Sequence, residues 1–202
     1  MTDHQPRRVD RPAAPAHPGV PVPAPSVDLD LLERTLREAL PGIVGATEEE
    51  VAAVEARLGV PFSEELTVLL RVVGSGEEDS GEGEECDHEG VCPVDRAVGC
   101  EFFGLEHLSA IDAEVRGSSW YGAGAGEAAD TAAAGASVVR HVAGSAGWIA
   151  FGSNGGDTYA VDLTPGPAGH HGQVILVGHE QSVGADLVSD SLTDFVLGRR
   201  SM

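Results

Sequence analysis

The stretch that decides the fold runs from Gly147 to Gly198, and it reads in four pieces: GWIAFGSNGGD (147–157), TYAVDL (158–163), GQVILVGHE (172–180) and SDSLTDFVLG (189–198). The first three are short runs rich in β-branched and aromatic residues. They are broken by Asn154-Gly155-Gly156 and Pro165-Gly166-Pro167, the punctuation of tight hairpins. The fourth reads as an amphipathic helix. Together they predict a small antiparallel sheet with a closing helix packed on it. No cluster in this region brings a nucleophile, a base and an acid together, which favours binding over turnover.

Working towards the N-terminus, SVVRHVA (137–143) and VGCEFFGL (98–105) predict two further strands. Three helices precede them. The first spans about Asp28 to Leu40, with Leu29, Leu32, Leu36 and Leu40 on one face, and Pro41-Gly42 ends it. The second opens on a capping box, Thr47 with Glu50, buries Val51, Val54 and Leu58, and closes on Gly59 in a left-handed turn. The third is capped by Ser63. It carries Glu64 and Glu65 in the first turn, where the helix dipole favours them, and a stripe of Leu66, Leu69, Leu70 and Val73. Helices followed by a mainly antiparallel sheet and a C-terminal helix describe an α+β domain over residues 28–200.

Two segments lie outside that pattern. Residues 1–27, with RPAAPAHPGVPVPAPS, hold too little apolar surface to offset the entropy of ordering and read as a disordered extension. Residues 77–89 hold eight carboxylates among glycines and read as an exposed acidic loop. The whole chain has 33 acids against 12 bases, a net charge of −21, and every base is Arg. The missing lysine excludes a Walker A loop, a Schiff-base lysine and a serine–lysine dyad. The charge argues against nucleic acid and anionic membrane as partners and suits a basic one. No apolar run is long enough to span a bilayer, so the expectation is a soluble, cytoplasmic protein.

Four motifs stand in order: LGVPF (58–62), EFFGL (101–105), GGDTYAVDL (155–163) and GQVILV (172–177). With the helix pair ATEEEVAAVEARLGVPFSEELTVLL (46–70), this arrangement resembles the SUKH superfamily, which includes fungal cell-wall-synthesis regulators and bacterial toxin-immunity proteins. The resemblance covers roughly residues 45–75 and 98–197. It implies a SUKH-like α+β module without catalytic activity or cofactor, which binds a protein. In bacteria that implies an immunity protein neutralising a toxin, with a regulatory scaffold as the alternative. By motif position, Asp157, Tyr159 and Asp162 match the family's Gly-Gly-Asp strand.

Candidate contact residues follow from charge and from aromatics outside the expected core. Glu82, Glu84 and Glu85 in the acidic run could imitate a polyanion for a basic toxin such as a nuclease, against the simpler reading of a solvated loop. Trp120-Tyr121 lies in a small-residue segment, where an aromatic pair suits a partner contact. If Asp157 and Asp162 share one regular strand, their separation of five places them on opposite faces, so they read as separate turn and strand-end contacts. Cys86, His88, Cys92 and Cys100 could ligate zinc, but the spacing lacks paired knuckles, and Cys100 beside EFFGL reads as a small core residue. Ser145 sits in a near match to a nucleophile elbow, GxSxG, without the strand-to-helix context that motif needs, so a turn is the expectation.

Overall fold

A computed structural model describes residues 22–74, 99–105, 108, 137–139, 145, 147–178 and 185–201. Its helices form where local chemistry dictates. Helix α1 (Leu29–Ala39) starts on Asp28, whose carboxylate accepts the Leu31 amide at 3.0 Å. Helix α2 (Glu48–Leu58) carries the complete capping box: Thr47 accepts the Glu50 amide at 3.3 Å, and Glu50 accepts the Thr47 amide at 2.7 Å. Gly59 ends it at φ 71°, a conformation that costs glycine no steric penalty. Helix α3 (Glu64–Val73) begins on Ser63, and a short helix α4 (Leu192–Val196) begins on Ser191.

Among the described residues five antiparallel strands form one sheet in chain order: β1 (Glu101–Phe102), β2 (Trp148–Ser153), β3 (Thr158–Asp162), β4 (Gln173–Val177) and β5 (Asp186–Ser189). Side-chain alternation splits β2–β4 into two faces. Ile149, Phe151, Tyr159, Val161 and Val174 join Leu32, Leu36, Leu66, Leu69, Leu70 and Phe195 in the main core. Trp148, Ala160 and Ile175 face the other way, towards Val139 and Ala185 in a smaller cluster. Phe195 meets Phe151 and Tyr159 edge-on, at centroid distances of 5.5 and 4.9 Å, and so seats α4 on the sheet. This is the expected α+β architecture with its C-terminal helix.

The differences from expectation are local. Strand β5, absent from the sequence reading, is created by its pairing with β4 and takes Ser189 from the predicted closing helix, which forms over Leu192–Val196. The predicted strand at 98–105 shrinks to two paired residues, although the Phe103 amide adds one bond to the Phe151 carbonyl at 2.9 Å. Of the predicted strand 137–143, residues 137–139 are described and form a bend. There the Val138 carbonyl takes the Gly166 amide at 2.9 Å and the Gln173 amide group at 3.0 Å, serving the β3–β4 loop instead of a ladder. In α3, Val72 is buried and Val73 half-buried, because loop 43–46 crosses the end of the helix.

Residues 22–27, which the sequence places in a disordered extension, are ordered against the domain, and residues 1–21 lie outside the described residues. Residues 22–27 run along the domain: the His171 amide donates to the Val22 carbonyl at 2.9 Å, Ala24 is buried, and the Ser26 hydroxyl pairs with that of Ser191 at 3.1 Å.

Candidate functional site

Among the described residues two carboxylates are buried, and both organise backbone. Glu65 projects from the first turn of α3, one turn ahead of Leu69 and in line with Val72. Its Oε1 accepts the Thr193 amide at 2.8 Å and the Thr193 hydroxyl at 2.6 Å; its Oε2 accepts the Leu192 amide at 3.2 Å. These are orphan donors of the first turn of α4, satisfied from another helix instead of from α4 itself. Thr193 extends the junction to α1, because its Oγ1 accepts the Asp28 amide at 3.2 Å. Burial pushes the Glu65 carboxyl above its ordinary range, with a small addition from Asp194, while the Thr193 and Leu192 donors hold it down.

Asp162, at the end of β3, is fully buried. Its Oδ1 accepts the Thr164 amide at 2.9 Å, and its Oδ2 accepts the Gln173 side-chain amide at 3.0 Å. Gln173 in turn accepts the His170 amide at 3.0 Å and donates to Val138. One carboxylate therefore ties both ends of the β3–β4 connection to the 137–139 bend. Burial raises the Asp162 carboxyl to about 6, against the hydrogen bonds from Thr164 and Gln173.

The predicted contact residues separate on this geometry. Tyr159 and Asp162 are interior, so they are removed from the surface available to a partner. Asp157 is a turn residue just before β3; its amide donates to Asn154 Oδ1 at 2.8 Å. A Cβ at Gly178 would collide with the Asp157 side chain, which explains the glycine there. Cys100 is buried, with its thiol towards the Glu101 carbonyl at 3.6 Å, and packs as a core residue against Gly152. Trp120, Tyr121, Glu82, Glu84, Glu85, Cys86, His88 and Cys92 lie outside the described residues. Ser145 shares a hydrogen bond with Thr164 Oγ1 at 2.9 Å and takes the Gly147 amide at 3.3 Å, a turn leading into β2.

Sequence reasoning missed Glu65, placing it with Glu64 as a dipole partner. The signal was present: Glu65, Leu69 and Val72 share one helical face by their four- and three-residue spacing, so a carboxylate stood on an apolar stripe.

Among the described residues the two edge strands of the sheet offer little to an added strand. Edge strand β1 has two residues. Edge strand β5 is bulged at Val188, whose carbonyl accepts the Ser201 amide of the chain's own tail at 2.8 Å. Helix and loop surfaces remain, among them the acidic start of α2 with Glu48, Glu49 and Glu50, all exposed. Among the described residues no helix is long and apolar enough to cross a membrane.

No curated protein matches the chain closely enough to report. A family model does: its description is SMI1 / KNR4 family (SUKH-1), and it matches residues 45–198. Those bounds run from the loop before α2 to the end of α4, and the chain belongs to the SMI1 / KNR4 family (SUKH-1).

Proposed function

We propose that this chain is a non-enzymatic immunity protein, which neutralises a basic protein toxin in the cytoplasm by one-to-one binding. Membership of the SMI1 / KNR4 family (SUKH-1) together with the net charge of −21 carries the reading. Among the described residues the buried acids, Glu65 and Asp162, are engaged in holding backbone amides. The surface acids are then left to attract a cationic partner, where complementary charge raises the association rate at low salt. A nuclease, with a cleft built for polyanion, is the partner class this charge suits.

Co-expression with the product of an adjacent toxin-like reading frame tests the proposal. Relief of toxicity and a stoichiometric complex are expected; unrelieved toxicity with no complex would refute it. The alternative, a regulatory scaffold, draws on the strap at residues 22–27, which anchors the Pro-rich segment to the domain. Removing residues 1–21 while keeping the strap separates the two. A scaffold loses partners, whereas an immunity protein keeps neutralising.

A further inference from the structure

Among the described residues the exposed large apolar side chains are Val22, Ile43 and Val44, and the last two stand together between α1 and α2. Ile43 is 39% and Val44 78% exposed. Their backbone is held by the end of α3. The Ala46 amide donates to the Leu70 carbonyl at 3.1 Å. Gly45 lies against the Arg71 carbonyl so closely that any Cβ would collide with it. Gly74, at φ 103°, leaves the same kind of room for the Val44 carbonyl. Two β-branched side chains, stiff at χ1, therefore project from a clamped loop.

The surroundings are charged. Glu48, Glu49 and Glu50 follow within one turn of chain, and the Arg71 guanidinium stands 3.9 Å from Glu48. Single exposed apolar residues are ordinary. A fixed pair beside an acidic helix start has the form of an interface anchor, because little conformational freedom is left to lose on binding.

We propose that Ile43 and Val44 form the apolar anchor by which this domain seats in its protein partner, entering an apolar pocket with a basic rim. The anchor rests on the immunity reading above and specifies its contact surface. The rim chemistry follows from charge complementarity: Glu48, Glu49 and Glu50 flank the anchor and would face the partner's basic groups. Charge steers the encounter, and the apolar pair holds the complex.

The test measures affinity for the purified product of the adjacent toxin-like reading frame, using the full chain and two variants. Val44→Asp removes apolar contact and adds acidity; Ala168→Asp places the same charge on an exposed position of the β3–β4 loop. We expect Val44→Asp to weaken binding about tenfold or more, Ala168→Asp to stay within about twofold, and both to keep the parent circular dichroism and melting temperature. If the parent binds and Val44→Asp binds as tightly or more tightly, charge alone carries the contact and the anchor is overturned while the immunity reading stands. If the parent does not bind, both fall. Two other occupants would also overturn it. A second copy would reveal itself as a dimer that Val44→Asp dissociates. The chain's own residues 75–98 would do so as amide protection at 43–46 that is lost when they are replaced by a short Gly-Ser link.

Discussion

Glu65 and Asp162 lie on opposite sides of the sheet, and each accepts hydrogen bonds from uncharged donors. Glu65 reaches 127 and 128 residues along the chain to the start of α4. Asp162 reaches 2 residues to Thr164 and 11 to Gln173. Glu65 ties together helices far apart in the chain that the core also packs, whereas Asp162 shapes a loop whose ends a hairpin already brings close. The contrast separates a contact that assembles the fold from one that finishes it. Burial raises both carboxyls, and in each the neighbouring hydrogen-bond donors oppose that rise.

The severest way to break the helical side is to remove α1. A chain beginning at residue 45 keeps the family-matched region but loses Leu32, Leu36 and Leu40, each at most 4% exposed. At about 2–5 kcal/mol for each lost leucine contact, the loss rivals the whole stability of a domain, about 5–15 kcal/mol. No cooperative unfolding transition is expected for that chain, whereas one beginning at residue 22 should melt like the parent.

Replacing Glu65 with Ala comes next. The Leu192 and Thr193 amides lose their acceptor in the interior, while the Thr193 hydroxyl keeps the Asp28 carbonyl at 3.3 Å, a loss of about 3 kcal/mol or more. Glu65→Gln, which keeps one acceptor, should cost less. Denaturant midpoints compare them, and equal midpoints for Glu65→Ala and the parent would dismiss the assembling role.

Asp162 should declare itself through pH. Above pH about 6 its carboxylate is charged in both states, and the folded state bears the burial. As the pH falls through about 6, the folded protein takes up a proton that the unfolded chain binds only near pH about 4. Stability therefore rises on acidification across that window, by at most about 3 kcal/mol. Glu65, also raised, adds a slope of the same sign, and so does relief of the overall negative charge. Asp162→Asn should flatten the slope between pH 4 and 6 relative to the parent, as urea midpoints would record; an unchanged slope would mean that Asp162 titrates normally.

The smallest effect belongs to the α2 cap. Thr47→Ala should cost about 1 kcal/mol at neutral pH. Hydrogen bonds from Thr47 hold the Glu50 carboxyl below its ordinary range, so that support is present at neutral pH and lost as Glu50 protonates.

The elements legible in the chain are those whose causes are local. Thr47, Glu50, Gly59 and Ser63 mark the ends of α2 and the start of α3, and Asn154-Gly155-Gly156 marks the β2–β3 turn. Strand β5 was hidden because Asp186-Leu187-Val188-Ser189 has little strand signal of its own and takes its form from β4. The predicted strand containing residues 137–139 fails there for the converse reason: apolar residues that could pair instead surrender the Val138 carbonyl to Gln173 and Gly166. Of the candidate contacts, the sequence could place Asp157 in a turn, but it could not foresee that the Asp162 carboxylate is enclosed.

By itself the chain determined where helices begin and end, which hairpins turn, and that the domain is α+β and acidic, because capping, glycine geometry and charge act over a few residues. Tertiary structure alone decided that Glu65 would hold α4, that residues 22–27 would dock, and that Ile43 and Val44 would stand exposed on a clamped loop. Those outcomes depend on which distant donors and carbonyls meet once the core closes, and no local pattern encodes that meeting.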